Sequence, residues 1–254
     1  MKKKANHPVK TLEKTVEIIE ALKELRSAQL SEIADEVDIT KSTIHNHLST
    51  LREHEYVVKE GNEYRLSLQF LTIGGVLRDK FELYDVAKPR IDQLAQETGQ
   101  LATLATEEQG MAVVLYRAKG EQAIGIDTHV GSQITLHNSA LGKSILAHQS
   151  PEYVEEYIEH RGLPAVTPNT ITDREELYDE LERVREMGYA FDDEEQWRGL
   201  KCIGAPILTD GGVVKGAISV SAPMSQIEND GTRQEYVDKV KNMANIVELS
   251  LTYS

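Results

Sequence analysis

Leu12, Val16, Ile19 and Leu22 recur at steps of four, three and three, so they mark one face of an amphipathic helix that begins near Thr11. A hydroxyl at Ser31 followed by Ile33, Ala34 and Val37 predicts a capped second helix of two turns. Asp38-Ile39 makes a tight turn, and Thr40 caps a third helix whose buried face is Ile44, Leu48 and Leu51. Tyr56-Val57-Val58 then runs into Glu60-Gly61-Asn62 and leaves through Glu63 to Leu66, a hairpin with Gly and Asn in its turn. Helix, helix, helix, hairpin is the order of a winged helix-turn-helix. Residues 68–84 read as a linker helix broken at Gly74-Gly75, with Pro89 near the next helix, which ends at Gly99.

Beyond Gly99 the period shortens. Apolar runs at 101–105 and 111–116 predict strands, as do 188–191, 200–208 and 213–222, the last two joined by Thr209-Asp210-Gly211-Gly212. Helices are predicted at 140–147, 151–160, 173–187 and 232–251, the third opening on the capping box Thr172-x-x-Glu175. The reading is an α+β chain in three parts: a winged helix-turn-helix over 1–67, a linker helix over 68–84 and a sensor-like domain over 85–254.

Composition narrows the classes. No stretch approaches the ~20 apolar residues of a membrane helix, and the basic start has no apolar segment behind it, so it reads as an arm and not a signal peptide. A soluble, cytoplasmic protein is expected. The single Cys202 excludes an internal disulfide and a thiolate-rich zinc site. The net charge of -14 argues against nucleic acid until its distribution is considered. Residues 1–66 hold 11 Lys and Arg against 12 Asp and Glu, whereas the remaining 188 hold 17 against 30. Local basic groups decide whether DNA can be approached, and Lys2, Lys3, Lys4, Lys10 and Lys41 are available. The acid excess suits a salt-rich cytoplasm.

On the third helix, Ser42, Asn46 and Ser49 point away from Ile44 and Leu48. With Lys41, Thr43 and His45 they form a candidate DNA-binding face, Asn46 being able to pair with adenine and Lys41 with a phosphate. A plain solvated face fits the helix alone equally well; the hairpin favours DNA. His45 and His47, two apart, do not share a helix face, so no metal is expected there. In the second domain Ser219 and Ser221 alternate with Ile218 and Val220 and share one face. If that face is covered, a ligand, water or backbone carbonyls must satisfy the hydroxyls. Cys202 reads as a wall of the same pocket. Ser139 caps a helix whose first N–H groups could meet an anion, and Asp192-Asp193-Glu194-Glu195 reads as a solvated acidic turn. A hydrolase built on Ser219 or Cys202 would need a positioned base and an oxyanion motif, and neither surrounds them. No catalytic residue and no cofactor is expected. A winged-helix scaffold for protein contacts is the remaining alternative.

The strings DITKSTIHNHLSTL, LHNSALGKSILA, EMGYAFDDEE and GLKCIGAPILTDGGVVKGAISVSAP, in this order, resemble the IclR family of transcriptional regulators over nearly the full chain. The resemblance implies a GAF-like effector-binding domain, homodimers or homotetramers, a palindromic double-stranded DNA operator, and a small effector such as an organic acid from carbon catabolism. Carried over by position, it implies a pocket formed by Ala140, Leu141, Asp192, Leu200, Cys202, Ser219 and Ser221. Members commonly have small residues at the Ala140-Leu141 pair, so Leu141 narrows the pocket. Many have Arg at the position of Asn46, so the operator sequence does not transfer. No Lys or Arg stands at the carried-over positions, which predicts an effector held by neutral donors.

Overall fold

The computed structural model describes residues 5–227 and 229–253; Lys2, Lys3 and Lys4 of the basic arm lie outside them. The chain divides into two compact units with the border between Arg78 and Asp79. In the first, helices α1 (Lys10–Leu25), α2 (Leu30–Glu36) and α3 (Lys41–Glu53) surround a core of Ile18, Leu22, Ile33, Ile44 and Leu48. Strands β2 (Val57–Glu60) and β3 (Glu63–Leu66) form the hairpin, and the short β1 (Ala28–Gln29) pairs with β3 on its other side. Gly61 takes a φ of +60° in the turn, where a side chain would be strained.

Several local expectations shift. The buried face of α1 is Ile18, Ala21 and Leu22, while Leu12 and Val16 stand exposed. The apolar arc of this helix is wider than a small domain covers, so part of the stripe stays free. The cap of α2 is Gln29 rather than Ser31: its backbone N–H donates to the Glu32 carboxylate at 2.6 Å. Residues 68–84 do not form one helix. Gly74 and Gly75 stay inside α4 (Gln69–Arg78), the chain breaks at Asp79-Lys80-Phe81, and α5 (Glu82–Thr98) follows with Pro89 inside it.

The second unit is built on one antiparallel sheet in the order β6-β5-β4-β9-β8-β7, from strands β4 (Leu101–Glu108), β5 (Met111–Lys119), β6 (Gln133–Thr135), β7 (Ala190–Asp193), β8 (Leu200–Leu208) and β9 (Val214–Pro223). Alternation sends Ala102, Leu104, Ile218 and Val220 to a core with α5 and the terminal α9 (Asp230–Thr252). The other face is covered by α6 (Ala140–Leu146), α7 (Pro151–Arg161) and α8 (Arg174–Met187). The cap of α8 is Asp173, which accepts from the amides of Glu175 and Glu176, in place of Thr172. All seven residues of α6 are buried because it lies directly on the sheet. A Cβ at Gly204 would come within 2.6 Å of the Ala140 carbonyl, and one at Gly142 within 2.4 Å of the Leu136 backbone. Only glycine allows that approach.

Candidate functional site

On α3, Lys41, Ser42, His45, Asn46 and Ser49 are exposed and Thr43 is half-buried, opposite the buried Ile44, Leu48 and Leu51. Thr40 occupies the cap position but turns its hydroxyl to Thr43 (2.9 Å) and Ser42 (3.3 Å) instead of a backbone amide. His47 is spent on structure: its Nδ1 meets the Thr15 hydroxyl at 2.8 Å and ties α3 to α1. The polar face continues into a groove lined by Ser49, Arg52, Glu53, Glu55 and Lys59, between the end of α3 and the hairpin. Arg52 and Lys59 add two cations that helix periodicity alone does not single out.

In the second unit a small cavity lies between α6 and the sheet. Ala140, Leu141, Asp192, Cys202, Ser219 and Ser221 line it; Leu200, two residues before Cys202 on β8, is buried but does not. Register explains the convergence. Leu101, Ser221, Cys202 and Asp192 are successive cross-strand partners on β4, β9, β8 and β7, and Thr103 pairs with Ser219 one row away. Partners in an antiparallel pair point to the same face. Thr103, Thr128, Gln196 and Trp197 complete the wall. The free interior is about 30 Å³, room for one or two waters at roughly 10–15 Å³ each. Ser139 caps α6 as expected: it accepts from the Gly142 amide at 3.1 Å and donates to the Thr135 carbonyl at 2.7 Å.

The acidic segment after Phe191 is not a solvated turn. Asp192 and Glu195 are buried because the turn folds back over α6. Lys143 Nζ, itself buried, donates to Glu180 at 2.9 Å, to the Phe191 carbonyl at 2.6 Å and to Glu195. Asp192 accepts from the Glu195 amide at 2.8 Å. Burial, reinforced by the Glu195 charge, pushes its carboxyl up to about 7. Burial also raises Glu195, and it holds the Cys202 thiol well above its ordinary value, so Cys202 stays protonated and a poor nucleophile. This ionic cluster escaped the sequence reading, although one signal was present: Glu180 interrupts the apolar stripe Leu177, Leu181, Val184 of α8.

Among the described residues no helix is long and apolar enough to cross a membrane, and no cluster of three His, Cys, Asp or Glu could hold a metal ion. The family model of the bacterial transcriptional regulator IclR C-terminal domain matches residues 76–249, and that of the IclR helix-turn-helix domain matches residues 11–61. The probable HTH-type transcriptional regulator ArcR of Halobacterium salinarum is 37% identical over 240 residues, covering 93% of this chain and 91% of its own length. The crystal structure of the Thermotoga maritima IclR is similar with a TM-score of 0.80 at 29% identity, over 96% of this chain and 99% of that one. An IclR homolog from Microbacterium hydrocarbonoxydans, crystallised with 4-hydroxybenzoate, shares the fold with a TM-score of 0.82 at 24% identity, over 96% and 100%. These relatives are regulators rather than enzymes, and the order of elements found here is theirs: the chain belongs to the IclR family of transcriptional regulators, with an amino-terminal helix-turn-helix that binds DNA and a carboxy-terminal effector-binding domain.

Proposed function

We propose that the protein acts in the cytoplasm as a one-component regulator: a homodimer that reads a palindromic operator and releases or tightens its grip when a small organic acid from carbon catabolism enters the cavity beside α6. The observation that carries the DNA half is the exposed row Lys41, Ser42, His45, Asn46 and Ser49 on a helix whose opposite face is fully buried. Two such helices, one per subunit, would meet successive major grooves of a two-fold site. A dimer is supported by the apolar surface of the first unit, where Leu12 and Val16 on α1 and Leu71, Ile73, Val76 and Leu77 on α4 stand exposed. A second copy of the chain would cover them.

The effector half is supported by the small cavity and the polar groups that line it. Ser219 and Ser221 offer hydroxyls, and Asp192, held up to about 7, can accept a hydrogen bond or keep its proton beside a ligand carboxylate. Ligand pockets usually enclose about 300–1,000 Å³, so an organic acid must displace part of this wall. Leu141 from the helix, Thr128 from the loop before β6 and Trp197 from the turn after β7 are the parts that enclose it. The relative crystallised with 4-hydroxybenzoate supports an acid in that role, and the relative from Halobacterium salinarum accords with the acidic surface. The test is gel retardation of duplexes from the chain's own upstream region by the full-length protein, with and without small acids. A sequence-selective complex that one acid class alters is expected. Retardation of all duplexes alike would overturn the regulatory reading.

A further inference from the structure

The carried-over pocket positions contain no cation, but the sheet places one on the same face, two strands to the side of Ser219. Arg117 on β5 is the cross-strand partner of Thr103, which is in turn the partner of Ser219. All three therefore point to the same face of the sheet, the face that carries the cavity. Thr103 and Ser219 line it. The Arg117 guanidinium reaches the loop before β6, where Nη1 donates to the Thr128 hydroxyl at 2.9 Å. Thr128 also lines the cavity. The second terminal nitrogen, Nη2, is buried and has no hydrogen-bond partner. A guanidinium presents five donors in a fork suited to a carboxylate, and a buried donor without an acceptor costs free energy that an anion would recover. Burial alone lowers the pKa of Arg117 from its ordinary value, in keeping with a cation that has lost water without gaining a counter-charge.

From this placement we infer that Arg117 is the anion anchor of the effector pocket, reached when the Thr128 segment gives way, and that the effector is a hydroxy or keto acid bound with its carboxylate toward β5 and its oxygen function toward Ser219, Ser221 and Asp192. The cavity is polarised along the sheet. Beyond the Thr103 and Thr128 wall, outside the present cavity, lies a cation with a free donor, and the opposite end holds Asp192, beside the Cys202 thiol and the Lys143–Glu195 pair. Ser219 lies two strands from Arg117, roughly 10 Å at ~4.8 Å per strand, a distance a small two-ended acid and a long arginine side chain can bridge together. A ligand with its carboxylate at the Asp192 end would find no cation free to meet it and would have to hold Asp192 protonated; reversed, it meets Arg117 and leaves Asp192 a hydroxyl to bind. This inference rests on the acid-effector reading and adds the residue that would enforce it.

The experiment is thermal unfolding of the full-length protein, followed by the fluorescence of Trp197, the only tryptophan, which lines the cavity. The probes are matched pairs at equal ionic strength: 4-hydroxybenzoate with 4-hydroxybenzyl alcohol, glycerate with glycerol, and gluconate with sorbitol. In the wild type at least one acid should raise the midpoint saturably while its neutral mate does not. Arg117→Gln should weaken that acid at least tenfold and leave the acid and its mate alike; Arg117→Lys should restore part of the preference. Thr128→Val, which loosens the same segment but keeps the cation, should retain it. An acid that binds Arg117→Gln as tightly as the wild type, or a preference lost equally in Thr128→Val, would overturn the assignment of Arg117 and leave the acid effector standing. If no acid shifts the wild type, or neutral mates bind as well, the acid-effector reading itself falls and the anchor with it.

Discussion

Replacing Asp192 by Asn converts a buried titrating group into a fixed neutral one of the same shape, and the pH dependence of stability should show it. The Asn oxygen can keep the hydrogen bond from the Glu195 amide. In the wild type the folded carboxyl holds its proton up to about 7, against an ordinary value of 3.8. As pH rises through this window the unfolded chain gives up the proton first, so stability is full below about 4, falls between about 4 and 7, and is level above. At 1.36 kcal/mol per pKa unit the whole loss is roughly 4 kcal/mol, of which about 2 to 3 kcal/mol falls between pH 5 and pH 8. Asp192→Asn removes that slope. Relative to the wild type its melting midpoint, read from Trp197 at constant salt, should rise by about 5 to 10 °C between pH 5 and pH 8, at roughly 2–4 °C per kcal/mol for a unit of this size. Parallel midpoints for the two proteins across this range would mean that Asp192 ionises normally in the folded state, and the account of the cluster would be wrong.

Lys143→Met should destabilise the second unit by about 3 to 5 kcal/mol, because Glu195 is left buried without its cation and Glu180 keeps only the exposed Arg183; the loss should shrink at pH 5, where Glu195, raised by burial, can take a proton, and urea titration at two pH values checks it. Asn46→Ala should cost about 1 to 3 kcal/mol at one base position per half-site, seen as relaxed preference there in binding to single-base variants of the operator. Lys41→Gln should weaken binding to all sequences alike and reduce the slope of log K against log salt by about one, since a phosphate contact carries no sequence information.

What could be read in the sequence followed from periodicity over enough residues to be unambiguous. The stripe Ile44, Leu48, Leu51 fixes which side of α3 is free, and the alternation from Ala217 to Ser221 fixes which side of β9 meets α6. Elements of two or three residues, β1 and β6, carry no period and were missed. On the first helix only Ile19 and Leu22 of the apolar stripe pack, while Leu12 and Val16 stay exposed, because a free apolar stripe looks the same in sequence as a packed one. The ionic cluster was hidden for a different reason: Lys143, Glu180 and Glu195 are surface types that only tertiary folding brings under cover. Arg117 was hidden in the same way. Its relevance depends on a register across three strands, β5, β4 and β9, that no local pattern encodes.

The same register gives the second unit a short route from the cavity to its far side. On β4, Thr103 faces the cavity while its neighbours Ala102 and Leu104 face α5. On β9, Ser219 and Ser221 face the cavity while Ile218 and Val220 face the opposite core, where Ile91 and Leu94 of α5 lie. Close-packed interiors transmit displacement because they have little free volume to absorb it. A cavity of about 30 Å³ cannot take in an organic acid without moving its walls, and the strand walls are single layers with α5 directly behind them. Helix α5 begins at Glu82, four residues after the last residue of the DNA-binding unit. A ligand that displaces β4 would therefore act on the helix nearest in sequence to that unit, and one that displaces only Leu141 or Trp197 would not. Hydrogen exchange in α5 with and without a bound acid separates the two cases: protection that changes only around residues 126–128, 141 and 197 would leave the sheet out of the signal.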